Sequence, residues 1–206
     1  MMRLVALTVS CAVVAALALN VIGFVRFPGG PLKEDPEGAL LALDLPLGDQ
    51  ARNAVGLTSE AGVTPYTPVY VGVFLRPAAG LSATIEDMRL VGATSGIVLV
   101  DSLMARPGKP QSGIGAVAGE IGDALNNYES LPGTLAAESS GASRPAVAVT
   151  VATRPGEQSY EGVAVDYRMG PFTFSTIYGP SVTVCVQPLP DGVDCSIDDP
   201  LTPPDK

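Results

Sequence analysis

The feature that most limits what this chain can fold into is a long run with no charge in it. Leu4–Val25 reads LVALTVSCAVVAALALNVIGFV, 22 residues between Arg3 and Arg26. As an α-helix it would reach roughly 33 Å at about 1.5 Å per residue, the thickness of a bilayer's hydrocarbon layer. A helix buried in a globular core would show a polar stripe. Here only Thr8, Ser10 and Asn20 interrupt the apolar surface. The run therefore predicts one N-terminal transmembrane helix (residues 1–26) with the lipid bilayer as its partner. Only three residues precede it, so the N-terminus is expected in the cytoplasm of a single-pass protein of the cell membrane, with the C-terminal domain extracytoplasmic. Ala16-Leu17-Ala18 supports a second reading, cleavage of a signal peptide and secretion. Cys11 reads as a small apolar residue of the span.

All 21 acidic residues follow Arg26, and the whole chain carries a formal charge of −9. Phosphate backbones would be repelled by it, so nucleic acid is excluded as a partner. Residues 27–67 begin FPGGPLKEDPEG, the composition of a linker. Within it, residues 39–45 fit a short apolar strand or helical turn, and Asp49 is placed to cap a short helix through Val55.

From Pro68 the pattern changes to short runs of β-branched and aromatic residues punctuated by Gly and Pro. Seven strands are predicted: 69–75, 84–91, 96–104, 146–152, 160–168, 172–178 and 181–186. In 160–168 the alternation puts Val163, Val165 and Tyr167 on one face and Ala164, Asp166 and Arg168 on the other. Seven short strands at this spacing predict a mainly β chain: an antiparallel, Ig-like β-sandwich over residues 68–188, preceded by the transmembrane helix.

Between the third and fourth strands lies a long stretch, residues 106–144, rich in Gly, Ser, Pro and Ala. One or two helical turns fit within 118–128. Connections this long are functional or unstructured. The large apolar side chains Ile114, Ile121, Leu125, Tyr128 and Leu131 make it the candidate binding loop. After the last strand, residues 189–206 form an acidic tail. Cys185 faces away from the predicted core, Cys195 follows ten positions later, and outside the cytoplasm such a pair is expected to form a disulfide that tethers the tail.

Chemistry is limited by what is missing. With no His in 206 residues, Ser-His and Cys-His nucleophile pairs and most zinc sites are unavailable. No catalytic, cofactor-binding or metal-ligating residues are assigned and no cofactor is expected. Glu86 and Asp87 are adjacent in a strand and so face opposite sides. The Asp-rich stretch 191–199 matches no standard calcium loop.

An N-terminal anchor followed by 71–77, 85–92 ending in Arg89-Leu90-Val91-Gly92, Gly162 to Tyr167 (GVAVDY), 174–178 and Val184-Cys185 resembles small membrane-anchored actinobacterial proteins of uncharacterised function with an extracytoplasmic β-rich domain. That resemblance implies no activity. The expectation is thus a membrane-anchored binding or envelope-accessory module, not an enzyme, acting on an unknown protein or envelope partner. The alternatives are a carboxylate-dependent enzyme and a small subunit of a membrane complex.

Overall fold

The computed structural model describes residues 2–23, 25–34, 54–57, 63–78, 80–107, 116–119, 122–136 and 144–189. One helix, α1 (Met2–Val21), precedes the strands. They are β1 (Phe27–Pro28), β2 (Lys33–Glu34), β3 (Ala54–Leu57), β4 (Pro68–Arg76), β5 (Ser82–Val91), β6 (Ile97–Ala105) and β7 (Ala116–Ala118). A 3-10 helix (Gly122–Asn127) follows, and then β8 (Tyr128–Ser130), β9 (Gly133–Ala136), β10 (Arg144–Ala152), β11 (Gly156–Tyr160), β12 (Gly162–Met169), β13 (Phe172–Tyr178) and β14 (Ser181–Val186).

The strands form three sheets: β1-β13-β12-β5-β9, then β2-β4-β10-β6-β8 with β7 also on β4, and a smaller β11-β14-β3. The third sheet continues the β12–β13 hairpin past Glu161 and Gly179-Pro180, since β11 pairs β14 just as β12 pairs β13. Alternation decides which faces meet. Val69, Val71, Val73 and Leu75 of β4, Ile85 and Met88 of β5, and Val163, Val165 and Tyr167 of β12 all enter one apolar core. Each fully buried Val or Leu stabilises it by about 1.5–3 kcal/mol.

Two expectations are corrected. First, the pairing is not purely antiparallel and not Ig-like. β1 joins β13 and β3 joins β14 in parallel, because both short strands arrive from the N-terminal part through long connections rather than through hairpins. The region read as a linker supplies β1, β2 and β3, and the stretch 106–144 supplies β7, β8, β9 and the 3-10 helix.

Second, among the described residues no helix is long and apolar enough to cross a membrane. α1 stops at Val21, where Gly23 takes a left-handed conformation (φ 79°) and its N–H closes on the Asn20 carbonyl. The end of α1 is also fastened to β13 by Asn20, a polar contact that a lipid-embedded span would not make. The single-pass topology, the lipid bilayer as partner and the cell-membrane placement all rested on that span. They fall with it, and with them goes the reading of the chain as a membrane-anchored module.

Candidate functional site

The N-terminal segment is tied to one flank of the domain by a series of specific contacts. Asn20 is fully buried, and its side-chain amide acts as a peptide group would. Its Nδ2 donates to the Thr173 carbonyl at 2.6 Å, and its Oδ1 accepts the Thr173 N–H at 2.9 Å. Phe27 packs on Phe172 and Phe174, and Phe174 stacks on Tyr167 with ring centroids 5.3 Å apart. Further on, the Tyr178 hydroxyl donates to the Leu32 carbonyl at 2.8 Å, and the Glu34 carboxylate accepts the Gly179 N–H. Leu32 itself is buried in the core. Residues 27–34 thus run from the β13 edge of one sheet to the β4 edge of the other.

Over the outer face of the first sheet this segment completes a charge cluster. Asp166, only 2 % exposed, binds Arg89 Nη2 through Oδ1 at 2.8 Å and Arg26 Nη1 through Oδ2 at 3.3 Å. Arg26 also reaches Glu86 at 3.7 Å, and Glu86 meets Arg168 at 3.3 Å. Arg89 donates to Ser175 as well. Burial pushes the Asp166 carboxyl up, but hydrogen bonds to Arg89 and Ser175 and the charges of Arg26 and Arg89 more than offset it. The group is held below the usual carboxylate range. Both oxygens of Asp166 and both of Glu86 are engaged by guanidinium groups. What this arrangement does chemically is hold strands and the N-terminal segment together.

The residues expected to form a binding loop are placed as follows. Tyr128 is buried with Tyr70, Ala105, Val147 and Val149 in a second, smaller core on the outer face of the second sheet, and Leu125 of the 3-10 helix packs on it. Leu131 packs against the main core. These three side chains turn inward, onto the domain. Ile114 and Ile121 lie outside the described residues. Cys185 is buried on β14 but is not part of the main core that takes Val182, Val184 and Val186, and its sulfur is disulfide-bonded. Cys195 and the Asp-rich stretch lie outside the described residues, so the expected Cys185–Cys195 bridge is not among the described links.

The flank opposite the N-terminal segment is different. β8 covers β6 only at residues 103–105, and β9 covers β5 only at residues 82–85. Beyond them, residues 86–91 of β5 and 98–101 of β6 have no strand on their outer side among the described residues. Val98 is 50 % and Val100 62 % exposed, while Leu99 and Leu90 reach inward to the core. An extra residue in β6 opposite Val149 and Thr150 leaves both Val100 and Asp101 at the surface. The sequence hid this flank because Ile97-Val98-Leu99-Val100 reads as a continuously apolar, buried strand. Asp101, which breaks that run, was its one signal.

A second exposed feature lies near the end of β10. Residues 64–67 form a turn in which Tyr66 has φ 68°, and its N–H donates to the Ala152 carbonyl. A turn with positive φ at this place favours Gly. A tyrosine held there, 71 % exposed, carries a strain cost of about 1 kcal/mol.

Comparison with known proteins adds no identity. No protein-family model matches the chain, and no curated protein matches it. Among solved structures, the VesB protease of Vibrio cholerae is similar over 65 % of this chain and 30 % of its own, at 7 % identity and a TM-score of 0.30. The cupredoxin domain of amoB from Nitrosocaldus yellowstonii is similar over 65 % of each chain, at 14 % identity and a TM-score of 0.24. This chain therefore spans less than two thirds of either structure.

Proposed function

We propose that this chain is a non-enzymatic protein-recognition domain whose partner docks along the open flank of β5 and β6. The observation that carries the reading is the uncovered stretch of β6, where Val98 and Val100 stand in solvent on a strand whose outer side has no neighbour among the described residues. An apolar strand edge left in this state is a template for another chain. A carboxylate-dependent enzyme is the competing reading. Against it, Asp166 and Glu86 are each paired with two arginines.

The test is selection of peptides from a displayed random library on the immobilised full chain. Enriched sequences should bind wild type and lose at least about tenfold in affinity for a Val98→Lys/Val100→Lys variant, a loss of about 1.4 kcal/mol. Failure to enrich any sequence, or enrichment of sequences indifferent to that variant, overturns the reading.

A further inference from the structure

We infer that the partner at this flank is an extended cationic segment that adds to β6 as a new strand, in line with β8. This inference rests on the recognition reading above and sharpens it. The two open edges are not equivalent. The free part of β5 carries Glu86, Asp87 and Arg89, the kind of charged residues that keep strands from pairing edge to edge. The free part of β6 carries Val98, Leu99 and Val100, with Asp101 as its one charge.

β8 shows how the next strand would lie. It pairs antiparallel with β6 through Leu103↔Ser130, Met104↔Glu129 and Ala105↔Tyr128, and the Leu131 N–H still reaches the Ser102 carbonyl at 3.2 Å. There the chain leaves for β9 in the other sheet, so a row of strand pairing is begun along β6 and, among the described residues, not continued. A segment of about five residues placed after Leu131 would continue it. Apolar β-branched side chains at alternate positions would cover Val98 and Val100 as cross-strand neighbours.

The charge of the occupant follows from its surroundings. Asp101 is exposed, Glu129 lies on β8 directly in line, and Asp87 is exposed on the neighbouring edge. The chain as a whole is at −9. A lysine- or arginine-bearing segment is attracted to such an edge, whereas a second copy of this chain would bring two acidic bodies together.

Three synthetic heptapeptides test this against the full chain: one alternating valine and lysine, one alternating valine and glutamate, and the lysine peptide with alternate backbone amides N-methylated. The lysine peptide should bind, and amide hydrogen exchange should slow within residues 98–102. Binding should fall at least about tenfold for the glutamate and N-methylated peptides, and about threefold for Asp101→Asn. Equal binding of the N-methylated peptide overturns strand addition, and equal binding of the glutamate peptide overturns the cationic partner. Protection on β5 instead of β6 overturns the choice of edge. Dimerisation abolished by Val100→Lys assigns the edge to a second copy and likewise overturns the inference. If none of the three peptides binds while library-selected sequences do, this inference fails and the recognition reading stands. If the library also yields nothing, the recognition reading fails as well.

Discussion

Residues 27–34 and 128–136 are built alike. Each lays a short strand on one sheet, crosses the side of the domain and lays another on the facing sheet. They differ in what accompanies them. The first is flanked by Asn20 on Thr173, Arg26 on Asp166, Leu32 under the Tyr178 hydroxyl and Glu34 on Gly179, so contacts run along β13 from one end to the other. The second is fixed by the pairing of β8 and β9, by Tyr128, Leu131 and Leu135 turned inward and by Arg106 and Arg144 on the Tyr128 and Thr134 carbonyls, yet among the described residues half of β5 and of β6 has no strand beside it. Crossing between sheets closes the core in both places, but only side chains added along the edge remove it as a docking surface.

The largest effect should come from the closed side. Leu32→Ala removes a buried side chain from the main core and should cost about 3 kcal/mol in urea denaturation. Leu131→Ala, at the half-buried counterpart, should cost about half as much. Equal losses would mean that the two crossings are energetically the same.

Next come the glycines. A methyl group at Gly30 would overlap the Tyr167 hydroxyl and approach the Phe174 ring to 2.9 Å, and both belong to a packed aromatic stack. Gly30→Ala should therefore cost about 2 kcal/mol. At Gly133 the new methyl meets only the end of the Met104 side chain, which can move aside, and Gly133→Ala should cost less than about 1 kcal/mol. The reverse order in melting temperature would refute the contrast in rigidity between the two crossings.

Asp166→Asn tests the charged tie. At neutral pH it should cost about 1–2 kcal/mol, a figure reduced because the arginines are partly in solvent. The folded carboxyl is held below its unfolded value of about 3.9, so its contribution is complete above that pH and is lost as the pH falls toward the folded value. The difference in melting temperature between wild type and variant should close below about pH 4. A gap that persists to pH 2 would show that packing, not charge, accounts for it.

The smallest effect belongs to the open side. Val98→Lys and Val100→Lys replace side chains already in solvent and should change stability by no more than about 0.5 kcal/mol. A loss of several kcal/mol would mean that the edge is covered and that the two sides are alike after all.

Much of the β framework was legible because two-residue alternation is a strong signal. The division of β12 into Val163, Val165 and Tyr167 against Ala164, Asp166 and Arg168 matches the core. What periodicity could not give was the role of residues that act singly. Asn20 looked like one tolerated polar group in an apolar run, yet it is the contact that joins α1 to β13. Gly23, which ends the helix, was one Gly among 23. The short strands β1, β2, β8 and β9 are two to four residues long, below the length at which alternation can be read. The exposed edge of β6, signalled only by Asp101, was hidden for a related reason: a run of apolar residues says that a strand exists and not which of its sides lacks a neighbour.

The distances along the chain that these two crossings span set the order in which the domain can be assembled. Arg106 meets Tyr128 across 22 positions and Thr84 meets Thr134 across 50, whereas Asn20 waits for Thr173 across 153. During synthesis from the N-terminus the first of these contacts is complete while β10 to β14 are still to be made. The N-terminal segment, made first, is among the last to dock, because its partner strand β13 lies near the far end of the chain and closing so large a loop is slow. Until then the β13 edge that Asn20 and Phe27 cover is open. Any factor that shields nascent chains has its clearest target there.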